Sequence, residues 1–179
     1  MVNVIDKITT KRSATATGRI YIPRMAYKLI VSPVTDDAGE ASTVAHAKAK
    51  ARRKGDVLTV AQLAAITGAK RTSDLIPLCH PLPLSHVSVT LTPDIHHCPN
   101  HSKNDSARYS ISCNATVTCE SKTGVEMEAL TAVSVGLLTI WDMLKAVAGK
   151  EMIIGDIMVV QKEGGTSGDF VRGHDRPTL

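Results

Sequence analysis

Asp142 and Lys145 lie three residues apart in the run GVEMEALTAVSVGLLTIWDMLKAVAGK, residues 124–150. A carboxylate beside an ammonium at that spacing can steer or transfer a proton. Glu126 and Glu128 open the same run, and carboxylates there suit the positive end of a helix. Leu78-Cys79-His80 sits between Pro77 and Pro81, which forbid a helix and hold the segment extended. Adjacent residues of an extended segment point to opposite faces, so Cys79 and His80 make a poor nucleophile–base pair. They suit ligand binding through main-chain groups and one imidazole. Lys54 stands just ahead of Gly55-Asp56. A plainer reading stands beside the catalytic one, in which Asp142 and Lys145 form a structural ion pair and the two glutamates are simple N-terminal charges.

These residues need elements to position them. In the run from Gly124 to Lys150, Ala129, Val133, Gly136, Leu137, Ile140, Leu144 and Val147 recur at steps of three and four, the period of one long helix. Leu130, Val135, Leu138 and Trp141 make most of the remaining circumference apolar, which predicts burial in a core or against another subunit. Asp56 reads as the N-cap of a second helix over VLTVAQLAAITGAKRT, which fixes the turn that carries Lys54 and puts Lys70 in the last turn. The alternation of Tyr109, Ile111, Cys113, Ala115, Val117 and Cys119 with polar residues predicts a half-buried strand, paired antiparallel with a strand over 87–91 that Pro93 stops. Weaker strands are expected over 1–5, 19–22 and 157–160, the last after a break at Gly155, and a short helix over 26–31. The Gly-rich tail reads as loop. Strands and helices in this order make an α+β layer, an antiparallel sheet with helices on one face.

The chain has 179 residues, 43% apolar but only 3% aromatic, so aliphatic residues must build the core of a single domain. A formal charge of +4 suits an anionic substrate. One Trp, three Tyr and one Phe offer few platforms for base stacking, which argues against a nucleic-acid partner. The basic cluster Lys48, Lys50, Arg52 and Arg53 reads as solvated surface in a polar loop over 32–53. Charges at both ends of the long helix argue against a membrane span, and Asp6, Lys7, Lys11 and Arg12 interrupt any signal-like run. Four Cys without paired spacing point to a reducing compartment, the cytoplasm or an organelle matrix. His96, His97, Cys98 and His101 fit no standard zinc spacing, and Cys113 and Cys119 read as small core residues. No metal or cofactor is expected.

LIPLCHP, GVEMEALTAVSVGLLTIWDMLKAV, KGDVLTVAQLAAITGAKRT and GGTSGDF, with the opening MVNVIDKITTKRSATATG, together resemble the cyclic pyranopterin monophosphate synthases, the molybdenum cofactor biosynthesis protein C family. The likeness spans most of residues 1–179 except polar insertions at about 32–53 and 93–107, and many members carry Asp where this chain has Asn3. The resemblance implies a ferredoxin-like subunit and a homohexamer of dimers with active sites at the dimer interface. It implies a lyase that converts a cyclic dihydro-GTP derivative into cyclic pyranopterin monophosphate and releases pyrophosphate. By position it implies catalytic roles for Asp142, Lys145 and Lys54. Substrate binding falls to Leu78, Cys79, His80, Glu126, Met127 and Glu128, while Arg12, Lys70 and Lys162 contact phosphates or shape the pocket. Lys54, Asp142 and Lys145 are expected to converge on one pocket lined by Leu78–His80 and Met127-Glu128, within one subunit or across a subunit boundary. Two other classes remain: a binding module gripping nucleic acid or an acidic partner through 48–54, and an inactive structural partner in a cofactor-assembly complex.

Overall fold

The computed structural model describes residues 1–31, 54–97, 107–165 and 168–173. In chain order the elements are β1 (Thr10–Ile22), α1 (Arg24–Val31), α2 (Val57–Lys70), α3 (Thr72–Leu75), β2 (Leu84–His97), β3 (Ala107–Ser121), α4 (Glu126–Ala148), β4 (Ile153–Glu163) and β5 (Phe170–Val171). The strands form one antiparallel sheet in the order β2-β3-β1-β4-β5. With α2 and α4 as the crossovers, β1 to β4 make the β-α-β-β-α-β arrangement of a ferredoxin-like α+β fold.

Burial alternates strictly along β1. Arg12, Ala14, Ala16, Gly18, Ile20 and Ile22 face the helices, and Ser13, Thr15, Thr17, Arg19 and Tyr21 face the other side. On that second side Thr15 hydrogen-bonds Thr116 across the strands at 2.9 Å. α4 lies along β1, β3 and β4 and packs on α2. Leu137, Ile140 and Leu144 are fully buried in this layer, and each such side chain contributes roughly 1.5–3 kcal/mol of transfer free energy. By length and composition α4 could cross a membrane, but its buried face is the core of the fold.

Several expectations change. Residues 1–5 form no strand; β1 starts at Thr10 and runs straight through Gly18. Gly18 is there for packing, because a Cβ would lie 2.6 Å from Val133 Cγ1 on α4. Pro93 does not stop β2, which continues to His97. β2 is an edge strand, where a residue without an N–H is tolerated. The supposed insertion at 93–107 is therefore strand at both ends. His96 sits on β2 with its Nε2 3.1 Å from Ser110 Oγ. Cys98, His101 and the insertion at 32–53, including the basic residues 48–53, lie outside the described residues. Gly155 lies inside β4, next to Asp156 at φ 56°, where the register with β1 shifts; an irregularity of this kind bends a strand without ending it. The tail adds β5, paired to Gln161 and Lys162.

Candidate active site

The two ends of α4 carry two different sets of groups. At the C-terminal end, helical spacing brings Asp142 and Lys145 together, and Lys145 Nζ donates to Asp142 Oδ1 at 2.6 Å. Lys54 arrives from another element. Asp56 Oδ1 accepts from Thr59 N at 2.7 Å and so caps α2, while Gly55 takes φ 94° in the turn before it. α2 runs antiparallel to α4: Gly68 meets Val135, and fourteen residues earlier Lys54 meets Asp142. Lys54 Nζ donates at 2.8 Å both to Asp142 Oδ2 and to the Asp142 carbonyl oxygen. Each carboxylate oxygen of Asp142 thus holds one ammonium. Hydrogen bonds from Lys145 and then Lys54 lower its pKa to about 2, so the carboxylate stays ionised. The side chains are nevertheless open, with 57% of Asp142 and 59% of Lys145 accessible. Exposed ion pairs add little stability, so a need for stability does not account for two ammoniums on one surface carboxylate.

At the N-terminal end the groups line a cavity with an open rim, where Leu78 and Met127 are exposed. Leu78, Cys79, His80, Glu126, Met127 and Glu128 line a cavity of about 360 Å³ together with Val2, Val4, Lys7 and Gly124. Glu128 is only 4% exposed. Desolvation raises its pKa, opposed by a hydrogen bond from its own backbone N–H and reinforced by Glu126. Desolvation and the Glu128 charge also raise the Cys79 thiol, which disfavours the thiolate a nucleophile would need. A smaller cavity of about 170 Å³ adjoins the first through Lys7, Thr123, Gly124 and Glu126, and adds Arg12, Lys122, Lys162 and Glu163. Lys162 Nζ lies 3.6 Å from Glu126 Oε1. Arg12 is 5% exposed, and its Nε has no hydrogen-bond partner among the described residues. A guanidinium at a cavity lined by lysines is suited to an anion.

A model of the MoaC family matches residues 1–165 of this chain. The chain belongs to the MoaC family. Among its relatives, the cyclic pyranopterin monophosphate synthase of Campylobacter jejuni (strain RM1221) is 45% identical over 172 residues, covering 96% of this chain and 91% of the relative. The protein of the same name from Helicobacter hepaticus is 44% identical over 172 residues, covering 96% of this chain and 90% of the relative.

 The synthase of Chloroflexus aurantiacus is 45% identical, with 96% of this chain and 88% of the relative covered.

In this MoaC-family chain the twelve candidate residues do not meet within one subunit. Lys54, Asp142 and Lys145 converge on one another, and Leu78–His80, Glu126–Glu128, Arg12 and Lys162 gather around the two joined cavities. Along α4, Glu126 and Asp142 are about 24 Å apart at 1.5 Å per residue. Lys70, exposed in the last turn of α2, lines neither cavity. The expectation of one pocket therefore does not describe the single chain. Lys7, Lys122, Thr123 and Gly124 escaped the reading of the sequence. Only the position of Lys122 and Thr123, directly ahead of GVEMEAL, and of Gly124, its first residue, signalled any of them. Among the described residues no three His, Cys, Asp or Glu side chains gather as metal ligands.

Proposed function

We propose that this chain is a cyclic pyranopterin monophosphate synthase, a lyase that converts a cyclic dihydro-GTP derivative into cyclic pyranopterin monophosphate with release of pyrophosphate, early in molybdenum cofactor biosynthesis. Identity of 45% to a synthase across nearly the whole chain carries the reading. The paired ammoniums on Asp142 support it chemically. In this reading Lys145 and Lys54 exchange protons with the substrate, and Asp142 fixes both ammoniums. Leu78–His80 and Met127-Glu128 hold the ring system, while Arg12 and Lys162 take up phosphate charge.

The reading also needs a second copy of the chain. An exposed triad about 24 Å along α4 from the cavities cannot serve a substrate bound in them, so the triad of one subunit faces the cavities of its partner, in a hexamer built from such dimers. The reaction belongs in the cytoplasm or an organelle matrix. It is tested by incubating the purified chain with the product of the upstream radical enzyme and following the pyranopterin by mass. Failure of the unaltered chain to form it overturns the reading. Mixing inactive Lys145→Met with inactive Arg12→Ala and allowing subunit exchange tests the shared site. Each mixed dimer regains one complete site, so about one quarter of the unaltered activity is expected. No recovery despite proven exchange puts the whole site in one subunit.

A further inference from the structure

Of the three groups joined at Asp142, Lys54 alone comes from outside a helix. Lys145 is held beside Asp142 by the spacing of α4 itself. Lys54 stands two residues ahead of the N-cap of α2, yet its Nζ reaches both the Asp142 carbonyl oxygen and Asp142 Oδ2 at 2.8 Å. The ion pair by itself does not hold the ammonium there, because both side chains are open to solvent and exposed pairs are weak. The backbone that carries Lys54 has to be fixed instead, and Asp56 fixes it. Its φ of −69° and ψ of 122° are extended, as at a helix N-cap. Its Oδ1 accepts from Thr59 N at 2.7 Å, and its carbonyl oxygen accepts from Val60 N at 3.0 Å. Hydrogen bonds from the Thr59 side chain and then its backbone keep the Asp56 carboxyl below its ordinary range. Between the two residues Gly55 takes φ 94°. A Cβ there would meet only Val60 Cγ2, at 3.7 Å, so the glycine answers to the backbone angle and not to lack of space.

We infer that Asp56 is a positioning residue for Lys54: by capping α2 it locks the Lys54-Gly55-Asp56 turn that aims the ammonium at Asp142. An ammonium has three donors, and Lys54 gives two of them to Asp142. One is left for a substrate, in a direction that the turn sets. Displacing a reacting group by about 1 Å can cost on the order of a hundredfold in rate, so a cap that never touches substrate governs turnover. The inference deepens the synthase reading and rests on it for the catalytic role of Lys54.

The test uses the purified full chain with the cyclic substrate. Asp56→Ala should lower kcat about tenfold to a hundredfold and leave KM little changed, since Asp56 binds no substrate. Asp56→Asn, whose amide oxygen still caps the helix, should keep most of the turnover. Asp56→Gly should lower kcat as well, although glycine at an N-cap costs little stability; thermal unfolding of the same variants separates lost aim from lost fold. In the Lys54→Met background, Asp56→Ala should bring no further loss, because the group it positions is already gone. An equal loss in both backgrounds, or unaltered kcat in Asp56→Ala and Asp56→Gly, overturns the inference. A second readout needs no turnover. After Lys145, Lys54 is the group that holds the Asp142 carboxyl down at about 2. Carbon-13 titration should therefore show the Asp142 pKa rising in Asp56→Ala towards its value in Lys54→Met, and an unchanged pKa overturns the inference. If the pKa rises as expected while the unaltered chain makes no pyranopterin, the positioning of Lys54 stands and the synthase reading fails.

Discussion

The two ends of α4 treat charge in opposite ways. At the C-terminal end, charge is exposed and paired within the chain: Asp142 holds both Lys54 and Lys145 at the surface, which leaves one net positive charge. At the N-terminal end two charged groups are buried: Glu128, with a raised pKa, and Arg12, whose Nε has no hydrogen-bond partner among the described residues. The contrast separates two tasks. Groups proposed to bind line cavities built by one fold, where desolvation strengthens their contacts. Groups proposed to move protons stand on a surface, in fixed geometry, waiting to be covered.

The contrast breaks most decisively at Lys145. Lys145→Met should lower turnover by about two to four orders of magnitude with folding intact, and Lys54→Met should do likewise; single-turnover rates alongside circular dichroism check both. Near-normal turnover in Lys145→Met would remove the C-terminal end from the chemistry. Asp142→Asn should cost less, about one to two orders, because both ammoniums remain but lose their charged anchor.

The rod that keeps the ends apart can be strained directly. A Cβ on Gly136 would sit 3.2 Å from Ala65 Cβ and 3.5 Å from Cys113 Sγ, so Gly136→Val should destabilise the fold by about 1–3 kcal/mol through overpacking. Urea unfolding measures this. An unchanged midpoint would mean that α2 and α4 are less tightly fitted than their contact implies.

The smallest effect concerns pH, and it carries opposite signs at the two ends. The Asp142 pKa is lowered from 3.8 to about 2. Its stabilising contribution is therefore complete above 3.8 and lost as pH falls towards 2. The Glu128 pKa is raised above 4.5, so its ionisation costs stability as pH rises from 4.5 through the higher folded value. Carbon-13 titration of the two carboxyls should show Asp142 below and Glu128 above their ordinary ranges. Asp142→Asn should flatten the acid side of the stability profile and Glu128→Gln the side above 4.5. Salt should weaken only the first, because Asp142 is exposed and Glu128 is screened from solvent.

Periodicity alone determined α4, α2 with its Asp56 cap, β3 and the α+β class, because a step of 3.6 or 2 residues and a capping carboxylate are local properties of the chain. It also determined that Asp142 and Lys145 are neighbours, since three residues make almost one helical turn. Tertiary structure decided what depends on distant partners. Gly18 continues β1 because Val133 lies above it, and Pro93 is harmless because β2 has no neighbour on one side. Lys54 reaches Asp142 only because α2 packs antiparallel to α4. Lys122, far in sequence from Lys7 and Arg12, meets them at one cavity because β1 pairs with β3. Local patterning specifies elements; burial and hydrogen bonding between elements specify which charges end up together, and no spacing along the chain encodes that.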